Sequence, residues 1–352
     1  MKSNYKRLGD YIRPVDIRNT QGQVTKLLGV SIEKKFISSI ANTIGTDMST
    51  YKIVKRGQFA YGPVTSRNGD KVSIALLHEE ECIISSSYSV FEVVDSGILL
   101  PEYLMLWFRR AEFDRYARFH SHGSAREIFD WEEMSNVELP IPAIEEQKTI
   151  VNAYETIERR IALKRKINDN LESQISTLYF NQKGDNSFVV SDRCRIFTGK
   201  KDVNQASSVG RYKFFSCSPF YLYSDDYIYD GKAVLVAGNG SYTGRTTFVD
   251  EKFDLYQRTY GIVPNDKNDD IIYLVYAAMS TEFIRKIKES LHGSAIPYIV
   301  YNDIAQFVIF YDNNPQVVCN KIGVLLNAII KNNTEINALT NLQRTLLCRM
   351  SS

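Results

Sequence analysis

Two stretches of the chain space their apolar positions with the same stride. From Ile150, the positions Ile150, Tyr154, Ile157, Ile161, Lys164, Asn168, Leu171, Ile175 and Leu178 follow alternating steps of four and three. Val318, Ile322, Leu325, Ile329, Asn332, Ile336, Leu339, Gln343, Leu346 and Met350 follow the same steps near the end of the chain. A period of 3.5 is that of a narrow seam packed along a second helix. The seams superpose with a shift of 168, so the polar Lys164 falls opposite Asn332 in the alignment. Each is preceded by proline (Pro140 and Pro142; Pro315), which cannot continue a helix backwards. At ~1.5 Å per residue each seam is about 45 Å long. Either stripe alone would fit an amphipathic helix lying on its own domain. Two of matching length predict a single antiparallel coiled coil, whose polar seam residues fix register at a cost in stability.

The segments that precede these helices repeat as well. His122-Gly123-Ser124-Ala125 recurs as His292-Gly293-Ser294-Ala295, and the same shift of 170 aligns Tyr103-Leu104 with Tyr273-Leu274, Glu112-Phe113 with Glu282-Phe283, and Arg115 with Arg285. Such a collinear set marks a duplication. Upstream the likeness loosens. Tyr88 in SSYSVFEV matches Tyr260 in RTYGIVP, and YKIVKRGQFAYG matches YIYDGKAVLVAGNG, each reading as strand, glycine-containing turn and strand. The expected fold is α+β: two tandem-duplicated heads of mixed α/β structure with mostly antiparallel strands, separated by two long helices and related by a pseudo-twofold axis. The boundaries fall at residues 1–145 for the first head, 146–182 for the central helix, 183–314 for the second head and 315–352 for the C-terminal helix.

Composition narrows the classes. A length of 352 residues suits two domains, and 44% hydrophobic with 24% charged residues is a globular balance. No apolar run of ~18 residues occurs, and the charged opening Met1-Lys-Ser-Asn-Tyr-Lys-Arg7 has no apolar core behind it, so neither a membrane span nor a signal peptide is expected. Cys82, Cys194, Cys217, Cys319 and Cys348 are scattered without a C-x-x-C pair and read as reduced packing residues of a cytoplasmic protein. The net charge of +2 argues against a polycationic protein but leaves room for local basic surfaces. Against 22 Tyr and 18 Phe stand only 4 His, so the usual proton-transfer residue is scarce.

The candidate chemical motifs are weak. Gly238-Asn-Gly-Ser-Tyr-Thr-Gly244 looks like a nucleotide loop, but Arg245-Thr-Thr-Phe-Val249 reads as a strand where a phosphate-capping helix should begin. There is no P-loop, and no [DNS]-P-P-[YFW] tetrapeptide of enzymes that methylate an exocyclic base nitrogen. Asp16 with Glu33-Lys34-Lys35 fits only a permissive metal-nuclease pattern. His120-x-His122 lacks further ligands at a suitable spacing, so a hydrogen-bonded or surface pair is expected and no metal. The chain reads as non-enzymatic.

One plan accounts for these parts together. A variable head, the HGSA-type element, Leu139-Pro-Ile-Pro142, Glu145-Glu146-Gln147 and a heptad helix, all repeated, closely resemble the specificity subunits of type I restriction-modification systems. The opening Tyr5-Lys-Arg-Leu-Gly-Asp10-Tyr is similar to the family's start, and the likeness covers nearly the whole chain. The second copy departs from the pattern: FVIFYDNNPQ keeps only Pro315-Gln316 of the P-x-P-x-x-E-Q element. The resemblance implies a subunit in which each head is a target-recognition domain reading half of a bipartite, asymmetric DNA site. It implies two methylation subunits as partners, which use S-adenosylmethionine to methylate adenine, and restriction subunits that use ATP and magnesium. No cofactor is then bound by this chain itself. About 45 Å of coiled coil corresponds to ~13 base pairs, so the helices would act as a ruler for the unread spacer.

Base contacts need Arg or Lys for guanine and Asn or Gln for adenine, with Lys, Ser or Tyr on phosphates. Polar loops between strands are the natural presenters. In the first head these are Ser66, Arg67, Asn68 and Lys71. In the second they are Asn239, Ser241, Tyr242, Thr243 and Arg245, with Lys200, Lys201 and Arg258 of matching type. Each loop also reads as an ordinary solvated hairpin turn. A two-domain coiled-coil scaffold binding other ligands is the alternative from a different class.

Overall fold

The computed structural model describes residues 5–39, 45–66, 68–123, 126–290 and 298–350. It has two compact units, residues 1–161 with 338–352 and residues 162–337, so the division runs through both long helices.

In the first unit the elements are β1 (Tyr5–Arg7), β2 (Ile12–Val15), β3 (Leu28–Val30), β4 (Phe36–Ser38), β5 (Lys52–Lys55), β6 (Phe59–Tyr61), β7 (Ile74–Leu76), β8 (Glu81–Ile84) and β9 (Ser89–Val93), then α1 (Pro101–Phe108), α2 (Ala111–Phe119), α3 (Trp131–Ser135), β10 (Glu138–Pro140) and α4 (Ile144–Asn181). An antiparallel sheet of order β2-β9-β6-β7 forms its centre, with two-stranded ribbons β1–β10, β3–β4 and β5–β8. Phe59, Tyr61, Ile74 and Phe91 of the sheet join Leu104, Phe108 and Phe113 of α1 and α2 in one buried cluster. The intervening Ala60, Ala75 and Val90 join Leu28, Val54 and Cys82 in another. With both faces covered, β6 and β7 read as unbroken apolar runs instead of alternating ones.

The second unit continues with β11 (Asn186–Val189), α5 (Val190–Arg193), β12 (Cys194–Thr198), β13 (Tyr212–Phe215), β14 (Leu222–Ser224), β15 (Tyr229–Ala237), β16 (Thr246–Leu255) and β17 (Thr259–Pro264), then α6 (Ile271–Ala278), a π-helical turn at Met279–Phe283, α7 (Ile284–Ser290), α8 (Tyr301–Ala305), β18 (Val308–Tyr311) and α9 (Pro315–Arg349). Its six-stranded sheet has the order β12-β17-β15-β16-β13-β14, antiparallel except for β13 beside β16. The first four strands repeat the order of the first unit. Ribbon β11–β18 answers β1–β10. The Leu8 amide donates to the Val137 carbonyl at 2.7 Å, and Val190 donates to Phe307 in the same place at 3.0 Å.

The seam residues bury where the helices meet. In the first unit Ile150, Val151 and Tyr154 pack with Leu346, Leu347 and Met350. In the second, Leu171, Ile175 and Leu178 pack with Val318, Ile322, Leu325 and Ile329. The start of α4 thus meets the end of α9, and its end meets the start of α9, which is antiparallel packing. Ile161 is buried, while Ile157, Ile336, Leu339 and Leu346 are half-buried. The polar seam positions bond to one another: Lys164 Nζ donates to Asn332 Oδ1 at 2.9 Å and pairs with Glu335 at 2.7 Å, and Asn332 Nδ2 donates to Asn168 Oδ1 at 2.8 Å. Such a cluster can be satisfied in one register only. Each head is tied to its helix by polar contacts. Arg109 donates to the Tyr154 hydroxyl at 3.1 Å and pairs with Glu158, and the buried Tyr276 hydroxyl donates to Glu172 at 2.7 Å. Burial pushes the Glu172 carboxyl above its usual range.

The two helices start differently. Gln147 is fully buried: its Oε1 accepts from the Leu100 amide at 2.9 Å, and its Nε2 donates to the carbonyls of Ile98 and Pro142 at 2.7 and 2.8 Å. The exposed Gln316 donates to Asp270 at 3.2 Å and to Asn320 at 3.0 Å.

Candidate nucleic-acid interface

In the first unit the loop joining β6 to β7 is pinned along one side. The Phe129 amide donates to the Pro63 carbonyl at 2.8 Å, and the Thr65 amide donates to the Glu127 carbonyl at 3.0 Å. Val64 and His122 both bridge to Ile128, so the loop lies against the segment carrying the first HGSA tetrapeptide. Of that tetrapeptide His122 and Gly123 are described; Ser124, Ala125 and the loop's Arg67 lie outside the described residues, as does the whole second copy at 292–295. Ser66 is exposed at the turn. Asn68 is half-buried and its amide reaches the Val64 carbonyl at 3.4 Å, and the exposed Lys71 pairs with Glu33 at 2.8 Å. The returning strand is anchored by Asp114, whose buried carboxylate accepts from the Val72 amide at 3.0 Å and from Lys34 Nζ at 2.6 Å. Burial pushes the Lys34 ammonium down from its usual value, opposed by the Asp114 charge.

The loop joining β15 to β16 holds the corresponding place in the second unit. Gly240 and Gly244 both have φ of 82°, a left-handed turn that side chains resist. Gly244 donates to the Ala237 carbonyl at 2.8 Å, and Ala237 donates to Arg245 at 2.9 Å, closing the hairpin. Asn239, half-buried, bridges to Tyr298, and Ile299 donates to the Gly238 carbonyl at 2.8 Å. This repeats the contact of Val64 with Ile128. Ser241 and Tyr242 project into solvent, while Thr243 is buried with its hydroxyl on the Gly240 carbonyl at 2.7 Å.

The cations sort into two kinds. Lys200 and Arg258 are exposed. Lys201 is held at 2.8 Å from the buried Asp254, 3.2 Å from Asp226 and 2.7 Å from the Ser224 hydroxyl, and its bond to Asp254 pushes its affinity for the proton up. Arg245 turns inward: Nη2 donates to the Ser218 carbonyl and Nη1 to the Thr247 hydroxyl at 3.1 Å. Its Nε is buried without a partner, and burial lowers its pKa. The sequence had not drawn attention to several exposed aromatic rings beside these loops. Phe119 ends α2, just before Ser121-His122, Phe220 follows Pro219, and Tyr298 follows the second tetrapeptide. The available signal was an aromatic residue set in a turn sequence, as in Ser216-Cys-Ser-Pro-Phe220.

The other chemical motifs are taken apart by the fold. Asp16 pairs with Arg18 and Lys52, Glu33 with Lys71, and Lys34 with Asp114. His120 and His122 both approach one carboxylate, Glu133, at 3.0 and 3.6 Å. Among the described residues no group of three or more His, Cys, Asp or Glu is placed to hold a metal ion, and no helix is long and apolar enough to cross a membrane. The glycine-rich Gly238–Gly244 loop leads into strand β16, a geometry without the helix N-terminus that dinucleotide binding uses.

The family profile of the type I restriction modification DNA specificity domain matches residues 11–173 and again 186–311. The chain is 34% identical over 139 residues to the type I restriction enzyme EcoDI specificity subunit of Escherichia coli, a stretch that covers 38% of this chain and 29% of that protein. The match therefore spans less than a third of the curated relative's length. Among solved structures, a type I restriction-modification system S subunit from M. genitalium is similar over 99% of this chain and 96% of its own, with a TM-score of 0.58 at 12% identity. That is a likeness of fold.

Proposed function

The chain belongs to the type I restriction-modification DNA specificity family, and on that premise we propose that it is the DNA-reading subunit of such a system. Each head reads one half of a bipartite, asymmetric site, and the paired helices set the unread spacer and serve as the docking platform for two methylation subunits. We assign reading to residues 1–145 and 183–314, and spacing to residues 146–182 and 315–352. The chain catalyses nothing itself: S-adenosylmethionine, ATP and magnesium belong to the methylation and restriction subunits, and the assembly works on cytoplasmic DNA.

The observation that carries this reading is the matched placement of the two loops. Both join corresponding strands of a shared frame, and both lie beside the segment that follows the repeated tetrapeptide. Ser66, Asn68, Lys71, Asn239, Ser241, Tyr242, Lys200 and Arg258 are the side chains this reading directs at DNA; Arg67, outside the described residues, belongs to the proposal by sequence alone. Lys201, Arg245 and Thr243 are bonded inward and serve instead to shape the loops. The near-neutral net charge fits a reader whose partners supply much of the phosphate contact.

The test is co-expression of the full chain with a methylation subunit encoded beside it, followed by genome-wide mapping of methylated adenines. A bipartite motif with a fixed spacer is expected. A contiguous motif, or none, would overturn the reading.

A further inference from the structure

We propose that Phe220 contacts DNA bases in the half-site read by the second unit, and that Arg245 is the residue that positions it. The inference rests on the DNA-reading function above and goes beyond it in naming an aromatic contact.

Arg245 sits in the loop where a guanine-reading arginine is expected, yet it points the other way. Its guanidinium meets no carboxylate in the bonds it makes; it holds the Ser218 carbonyl and the Thr247 hydroxyl in a recess lined by Phe215, Ser216, Leu235 and Ala237. Ser218 belongs to the turn Ser216–Phe220, which is stiffened by its own hydroxyls: Ser216 Oγ accepts from the Ser218 amide at 3.1 Å, and Ser218 Oγ from the Phe220 amide at 3.2 Å. Pro219 fixes one backbone angle immediately before Phe220. A second tie joins the turn to the hairpin. Cys217 Sγ donates to the Arg258 carbonyl at 3.3 Å, which also accepts the Gly238 amide at 2.9 Å.

The result is a stiff turn, fastened twice to the candidate reading loop, that holds a phenylalanine 79% exposed. Water gives that ring nothing in return for its exposure. The hairpin that Arg245 ties to this turn carries the exposed Tyr242, and Arg258, whose carbonyl accepts from Cys217 of the turn, has an exposed side chain. Aromatic rings beside cations suit the face of a base next to a phosphate, where stacking or wedging of apolar side chains is a known mode of contact. An apolar protein groove would not favour the cation.

The experiment uses the full chain assembled with its methylation subunits and a duplex carrying its mapped site. Phe220→Ala should weaken specific binding roughly 5- to 100-fold, the range of one lost base–aromatic contact, and Phe220→Trp should restore most of it. With thymines of the second half-site replaced by 5-iodouracil, irradiation should crosslink the peptide containing Phe220, and Phe220→Ala should abolish that product. Arg245→Gln should weaken binding in the wild-type background but add nothing to Phe220→Ala, and Arg245→Lys should recover part of the loss. Unchanged binding by Phe220→Ala, with bipartite methylation intact, overturns the inference and leaves the function standing. Additive losses from Arg245→Gln and Phe220→Ala overturn the positioning role. A wild-type assembly that places no bipartite methylation overturns the function, and this inference with it.

Discussion

The two long helices follow heads of the same strand order, yet they are fastened to those heads by different chemistry. At the start of α4, Gln147 is sealed inside and satisfies an amide and two carbonyls of the chain that leads in. At the start of α9, Pro315 supplies a backbone angle already suited to a first helical turn, and Gln316 makes only surface bonds. The contacts that both copies keep are the outer ribbon and the amide bonds of Leu8 and Val190. The frame therefore rests on backbone pairing, which tolerates changes of side chain, and the local fastening is free to diverge. The sheets diverge as well. The second unit extends its sheet by β13 and β14, where the first carries the separate ribbons β3–β4 and β5–β8.

The largest expected effect separates these helix starts. Gln147→Ala leaves buried backbone groups without partners and should cost about 2–3 kcal/mol, whereas Gln316→Ala should stay within about 0.5 kcal/mol. Urea denaturation of the two variants measures both, and equal losses would break the comparison. A smaller effect is expected at the helix pair. Replacing Lys164 and Asn332 together by Leu should raise stability by about 1 kcal/mol and loosen register. A thermal melt reads the gain, and a methylation map with mixed spacer lengths reads the loosening; a single sharp spacer would show that register is held elsewhere.

A third effect appears only in alkali and sharpens the likeness of the two cores. Burial pushes Tyr61 and Cys82 of the first unit, and Cys194 of the second, up to about 12, and Cys319 to about 11. In the unfolded chain these groups ionise near 10 for Tyr and about 8.5 for Cys. Their folded values are raised, so their contribution to stability is complete below about pH 8 and is lost as pH rises toward 11–12. Stability followed from pH 8 to 11 should fall, and Tyr61→Phe should flatten the first unit's share of that fall. An unchanged slope would assign it to other groups.

The helix seams were legible because a 3.5 period is written directly in the side chains, and the seam members named from it are buried or half-buried. The two loops were legible through their glycines and polar runs. The tertiary partners were not. Nothing near Lys201 in sequence announces that Asp254 will hold it, and nothing around Arg245 tells that Ser218 will turn it inward. The unbroken apolar runs of β6 and β7 concealed which residue faces which cluster, because a sheet covered on both sides loses its alternation. Phe220 escaped notice for a related reason: an isolated aromatic in a turn is recognised only when its exposure is known.

The most direct test exchanges residues 1–145 for the first head of another family member and maps methylated adenines in the co-expressed assembly. One half of the bipartite motif should change, while the other half and the spacer stay as they were. A motif unchanged by the exchange, or changed in both halves, would contradict the assignment of one half-site to each head.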